Sequence, residues 1–168
     1  MIHLTGLDVT RCPVLPVSAE LLPRALEWQR AAHDAGHDVL FDNRTIVERI
    51  FQRGTGLCTV VGGVPIGYVL FSAFTGEVRE VSVVEVHPWF RRQGVAARLM
   101  AAAEEHLKDG GAQCIDVKCV SSASEALCRQ LGYQDHQDAP RTHRGPWEAT
   151  TLRKYLTDWR PRVRHPWD

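Results

Sequence analysis

Residues 84–96, Val84-Glu85-Val86-His87-Pro88-Trp89-Phe90-Arg91-Arg92-Gln93-Gly94-Val95-Ala96, carry an apolar strand straight into a helix. Upstream, the run from Glu77 to Val86 is richer in valine than any other segment, and Pro88 ends it because proline cannot donate to a ladder. Downstream, Val95, Leu99, Met100, Ala103 and Leu107 recur at spacings of three or four, which predicts a helix ending at Gly110-Gly111. A strand followed at once by a long one-sided helix fits an α/β or α+β domain, and 168 residues suffice for one such domain with its own core.

The rest of the chain fills in that expectation. Leu21, Leu22, Ala25, Leu26, Trp28, Gln29 and Ala32 keep a helical period that ends by Gly36, and Thr45 to Phe51 form a second short helix stopped at Gly54. Leu57 to Val61 and Val64 to Phe74 flank Gly62-Gly63, a two-residue hairpin signal. Cys114 to Val120 is a short strand. Ser122-Ala123-Ser124-Glu125 has the form of a capping box opening a helix through Leu131, and Tyr133 onward with Glu148 to Tyr155 reads as a closing strand pair.

Composition excludes several classes. Twenty basic residues balance twenty acidic ones, so the whole chain offers no electrostatic case for nucleic acid. No apolar stretch is long enough to span a membrane, and the first residues have neither the basic nor the apolar region of a secretory signal. Five scattered cysteines, Cys12, Cys58, Cys114, Cys119 and Cys128, form no Cys-x-x-Cys pair and read as reduced cytoplasmic thiols. His33 and His37 share a helical spacing, but Gly36 lies between them and no third ligand is spaced to suit, so no metal site is expected. Asp34, Asp38 and Asp42 in that region are read as solvated charge, or as groups that attract a cationic amine.

At the strand-to-helix junction, Gly94 lets the backbone turn with free amides at the first turn of the helix, and Ala96 is small beside it. Unpaired N–H groups and the positive helix end make such a turn an anion site that favours phosphate. Arg91-Arg92-Gln93-Gly94-Val95-Ala96 resembles the Gln/Arg-x-x-Gly-x-Gly/Ala loop of the GNAT superfamily of acyl-CoA-dependent N-acetyltransferases. The order of elements from about residue 10 to residue 156 resembles that fold as well. The resemblance implies an α+β domain over residues 1–156, a mostly antiparallel twisted sheet of six to seven strands with helices on both faces, followed by a tail over 157–168.

It also implies site residues. Amides from Gln93, Gly94, Val95 and Ala96, with Arg91 or Arg92, would hold the CoA pyrophosphate. Backbone groups of Val84 and Val86 would bond the pantetheine arm like an added strand, and the Val84 amide would stabilise the oxyanion. Glu80 stands where some members place a catalytic glutamate; Glu85, at a two-residue period, points to the opposite face unless a bulge intervenes. Ser121 stands where the family often has Asn, and Cys128 where it often has the Tyr that protonates the departing thiolate. The donor is thus left open between Cys128, Tyr133 and water, with Cys128 otherwise a packing residue.

The activity implied is direct transfer of an acetyl group from acetyl-CoA to a primary amine, of a small molecule or a protein, in a ternary complex. The alternative is a non-catalytic acyl-CoA-binding regulatory module. The tail carries Trp159, Trp167, Arg160, Arg162 and Arg164, residue types enriched at interface hot spots, and this points to packing on the domain itself or, preferentially, on a second subunit in a homodimer.

Overall fold

The computed structural model describes residues 8–40, 44–72, 76–119, 121–136 and 150–160. Seven strands form one sheet in the order β1-β2-β3-β4-β5-β7-β6. They are β1 (Val14–Pro16), β2 (Gly56–Val61), β3 (Val64–Phe71), β4 (Val78–Val86), β5 (Cys114–Cys119), β6 (Gln134–Asp135) and β7 (Thr150–Tyr155). Every pairing is antiparallel except β4 with β5. Helices α1 (Leu22–Asp34) and α2 (Arg44–Arg53) pack on one face, α3 (Val95–Asp109) and α4 (Ser122–Gln130) on the other. The α+β sheet with helices on both faces is therefore as expected. Among the described residues no helix is long and apolar enough to cross a membrane.

Local chemistry explains the element ends. Gly62 and Gly63 both take positive φ, 57° and 79°, as a two-residue turn matched to the twist of paired strands requires. The β3 strand they open is buried along nearly its whole length because both faces are covered: Ile66, Val69 and Phe71 face α3, while Tyr68 and Leu70 face α1 and α2. Gly67 sits under the first turn of α3. A Cβ there would meet Val95 Cγ1 at 2.9 Å and Leu99 Cδ1 at 3.2 Å, so a bare backbone at this point seats the helix start against the sheet.

Three details differ from expectation. The capping box of α4 uses Ser121 and Ser124, not Ser122 and Glu125. The Ser121 hydroxyl accepts from the Ser124 amide, and the Ser124 hydroxyl bonds back at Ser121. A serine run offers two frames, and the earlier one fits the strand exit. Strand β3 stops at Phe71; Phe74 and Val120, included in the expected strands, lie outside the described residues, as does most of the segment expected to join the last two strands. Finally, Glu80 and Glu85 share a face. Partners of β3 step from Val83 opposite Leu70 to Val81 opposite Phe71, which leaves Ser82 as the extra residue of a bulge. Val81 packs in the α3 core and Val83 in the α1–α2 core, although they are two residues apart.

Candidate active site

The bulge at Ser82 does more than re-aim side chains. Strand β4 pairs with β5 only from Val78 to Val81, whereas β5 continues against β7 through Cys119. Past the bulge, residues 82–86 bend away and a gap opens between two parallel strands. The His87 amide donates to the Ile66 carbonyl at 2.8 Å, so with alternating pairs in the antiparallel β3–β4 ladder the bonded pairs are His87, Glu85 and Val83. The peptide groups of Val84 and Val86 consequently turn the other way, into the gap. One of them already has a partner: the Val86 carbonyl accepts from Arg91 Nε at 3.0 Å.

The gap leads to the turn before α3. Gly94 is the N-cap at φ 79°, with no side-chain bond to the first-turn amides. The Arg98 amide is the first to reach back, to the Gly94 carbonyl at 3.1 Å. Those of Val95, Ala96 and Ala97 remain as donors at the positive helix end. Arg92, Gln93 and Gly94 are exposed and Val95 is buried in the core. Arg92 holds φ 61°, a left-handed conformation that costs a non-glycine residue roughly 1 kcal/mol or more. Gln93 is tied by its amide to the Trp89 carbonyl at 3.0 Å. The two arginines expected to act alike are placed differently: Arg91 also donates to the Asp38 carbonyl at 2.6 Å, bridging the strand end to the α1–α2 connection.

The two glutamates have different surroundings. Glu85 is 5% exposed, and its carboxylate accepts from the Tyr68 hydroxyl, from Gln29 Nε2 at 2.5 Å and from the Leu40 amide at 2.6 Å. Burial first, then the Glu85 carboxylate, pushes the Tyr68 hydroxyl well above its ordinary range and keeps it a donor. Glu80, with a side chain 40% exposed, has long contacts among the described residues: Lys118 Nζ at 3.4 Å and the Ser82 hydroxyl at 3.5 Å. Beyond Lys118, Asp116 holds Arg153 at 2.6 Å on the same face of β5 and β7. His87 caps the short helical turn after β4, its Nδ1 accepting from the Trp89 amide at 3.2 Å.

Cys128 is 3% exposed, in the same buried cluster as Cys119, also 3% exposed, at the end of β5. The interaction of the two thiols, opposed by burial, holds Cys128 below the ordinary thiol range, while the same interaction and burial push Cys119 above it. Tyr133, the other donor considered, is buried and shifted upward by that burial, and its hydroxyl has no hydrogen-bond partner among the described residues. Ser121 is exposed with its hydroxyl used in the cap. Among the described residues no group of histidines, cysteines and carboxylates is arranged to hold a metal ion.

Sequence reasoning missed three of these features. Gln29, Tyr68 and Lys118 carried no motif, the Cys119–Cys128 pair spans a strand end and a helix, and the bulge has no glycine to mark it. A lone Ser within Val81-Ser82-Val83-Val84 was the available signal.

A gap with strand peptide groups turned into it, leading to an uncapped helix start, offers main-chain donors and acceptors to an extended chain and a positive helix end to an anion. The chain belongs to the acetyltransferase (GNAT) family, whose model matches residues 21–133. Comparison with curated protein sequences gave no match. Among solved structures, the fold is similar to that of the PaiA N-acetyltransferase from Thermoplasma acidophilum in complex with coenzyme A. That alignment has a TM-score of 0.68 at 13% identity, covering 86% of this chain and 98% of that one. The aminoglycoside 6'-acetyltransferase type Ii aligns at TM-score 0.68 and 15% identity, over 89% and 99% of the two chains. The Drosophila melanogaster polyamine N-acetyltransferase, which forms N-acetylagmatine, aligns at 0.64 and 16%, over 86% and 99%.

Proposed function

We propose that this chain is an N-acetyltransferase that moves the acetyl group of acetyl-CoA directly to a primary amine in a ternary complex. The observation that carries the reading is the departure of β4 from β5 after Val81, with the Val84 and Val86 peptide groups turned into the gap. Relatives of this fold are described in complex with coenzyme A and as acting on polyamines and aminoglycosides. In our reading the pantetheine arm pairs with Val84 and Val86, and the pyrophosphate lies on the amides of residues 93–96. The exposed Arg92 faces the phosphates, and Arg91 reaches them once it leaves the Asp38 carbonyl. Ser121 borders the same ligand from the start of α4.

The acyl carbonyl then lies at the Val84 amide, which donates to the oxyanion as the amine nitrogen attacks; losing such a donor costs about 3 kcal/mol. The amine must arrive neutral. Glu80 is our base: it shares a face with Glu85 but has lone pairs to spare, while the Glu85 oxygens are taken by three donors. Four residues at ~3.3 Å put Glu80 about 13 Å back along the strand from Val84, so the proton travels through water. As the C–S bond breaks, Cys128 protonates the thiolate of CoA.

We place the chain in the cytoplasm, on the ground of its free thiols, and read residues 1–156 as the catalytic domain. The start of the tail packs on that domain, Thr157 donating to Gln113 at 2.5 Å and Arg160 lying 4.3 Å over the Tyr155 ring. We assign the remainder to a homodimer contact, and an unchanged light-scattering mass after deletion of residues 157–168 would count against it.

The test of the function is free-thiol release from acetyl-CoA with a panel of polyamines, aminoglycosides, amino acids and peptides, with mass detection of the acetylated product. Turnover with at least one primary amine is expected. CoA binding without turnover on any would favour the non-catalytic module.

A further inference from the structure

The gap has a wide end and an apex. The wide end opens on the turn before α3, and the apex is where β4 leaves β5 after the Val81–Val117 pair. Lys118, the next residue of β5, stands at that apex. Val117 and Cys119 pack in the α3 core, so with a two-residue period Asp116 and Lys118 point to the other face of the sheet, which is the face of Glu80. There Lys118 Nζ lies 3.4 Å from the Glu80 carboxylate, and the two side chains are open to water, at 43% and 40%. Arg153, on the same face, is committed on all three nitrogens: Nε and Nη2 hold the two Asp116 oxygens at 2.6 and 2.8 Å, and Nη1 meets His136 Nε2 at 2.7 Å.

We propose that Lys118 selects the acceptor by taking a carboxylate that lies close to the reacting amine, so that the substrate is of the amino-acid class. The inference rests on the acetyltransferase reading, in which CoA fills the gap from its phosphate end and its acyl group stops at Val84. What lies past the acyl group, toward the apex, is then acceptor, and the apex presents one carboxylate and one ammonium in contact. A molecule with the same two charges as near neighbours meets them in reverse, its amine toward Glu80 and its carboxylate toward Lys118. The ammonium has three donors, of which Glu80 engages one. The lengths agree as well. Continuing the Val81–Val117 register puts Ser82 across from Lys118, and Ser82 is two residues, about 7 Å, back from Val84. An α-amine lies about 3 Å from its carboxylate oxygens, which accept from an ammonium at about 2.8 Å; with the C–N bond being formed, these span that distance. A polyamine would instead set a second cation against Lys118, an unfavourable contact that rejects it.

The test uses acceptors in pairs that differ only in that carboxylate, each amino acid with its α-carboxamide, on the wild type, Lys118→Gln, Lys118→Arg and Lys108→Gln. Two quantities are measured: kcat/KM with acetyl-CoA, and Kd by calorimetry with CoA in its place. Amine basicity differs within a pair but is the same for all four proteins, so the number compared is the ratio of the carboxylate member to the amide member in each. For the best pair that ratio should fall about tenfold in Lys118→Gln, the effect of losing a hydrogen bond between charged groups. Lys118→Arg, which keeps the charge, should retain most of it. Lys108→Gln, which removes an exposed charge in the last turn of α3, should leave it unchanged. Any influence of Lys118 on Glu80 acts on both members and cancels.

The same ratio in the wild type and Lys118→Gln would overturn the proposal, and so would equal loss of both members or an absence of binding by every pair. Turnover of polyamines alone would overturn it while leaving the acetyltransferase reading intact. That reading fails on a different result, no thiol release from acetyl-CoA with any amine, and the calorimetric ratio still decides the role of Lys118 in that event.

Discussion

Replacing each of the two β4 glutamates by glutamine should give opposite phenotypes. In Glu85→Gln the side chain keeps its volume but offers one carbonyl oxygen where the carboxylate offered two. One carboxylate oxygen serves Tyr68 and Gln29, and the other serves the Leu40 amide. The best orientation of the new amide keeps the first pair and turns its NH2 toward the Leu40 N–H, so one buried bond to a charged acceptor is lost. That is worth about 2 kcal/mol, or roughly 4–8 °C in Tm for a chain of 168 residues. Glu80→Gln removes an ion pair whose side chains are 40% and 43% exposed, which is worth under about 1 kcal/mol. Its kcat should fall by about 10²-fold, the lower end of a general-base contribution, with partial recovery as pH rises and more of the amine is already neutral. Thermal unfolding and initial rates across pH on both variants decide the matter. A Glu85→Gln protein with unchanged Tm would refute the account of the buried network, and a Glu80→Gln protein with wild-type kcat at every pH would remove Glu80 as the base.

Two further outcomes are expected. A Cβ at Gly94 meets no atom within 4 Å, so Gly94→Glu should fold with only the roughly 1–2 kcal/mol cost of a left-handed residue. The added carboxylate stands at the mouth of the anion turn and should weaken CoA at least tenfold by calorimetry; unchanged affinity in a folded variant would remove the basis for this cradle. His87 is held below its ordinary value of 6.5 by burial, then by Arg91 and His37. Below pH 6.5 the unfolded chain therefore binds a proton that the native chain does not, and stability falls as pH drops through that window. His87→Asn, which keeps an acceptor for the Trp89 amide but does not titrate, should flatten the fall between pH 6.5 and 5 by at most one proton's worth; an identical slope would contradict the assignment.

The fold was legible where chemistry is local. Gly62-Gly63 demanded its turn, Gly94 its helix start, and the three-four spacing from Val95 to Leu107 its buried face, and each depends on neighbours within a few residues. The bulge was not, because it arises where β3 and β5 pull one strand into two registers, and Ser82 has no backbone peculiarity to announce it. The face of Glu85 turned on that bulge, the condition left open for it, and its partners Gln29, Tyr68 and Leu40 lie 56, 17 and 45 residues away in sequence. The frame of the α4 cap slipped by one residue because Ser121 and Ser122 are equivalent as caps until the strand exit chooses between them. Of the candidate site, the phosphate turn was readable from its residues and the resemblance they carry. The division of labour between Arg91 and Arg92 was not, since it depends on which guanidinium the Asp38 carbonyl captures.

Two ties from the β4 end to the α1–α2 connection grip main-chain atoms: Glu85 takes the amide of Leu40, and Arg91 takes the carbonyl of Asp38. An anchor of this kind is blind to what the anchored residues carry. The exposed side chain at position 38 can be exchanged for almost anything while the path of the connection stays fixed, whereas Leu40 also packs against the α1–α2 core. The chain thereby separates the shape of this segment from its chemistry. A library varied at position 38 would sample new surfaces on a constant frame, and any change in acceptor choice it produced would report side-chain character rather than altered loop geometry.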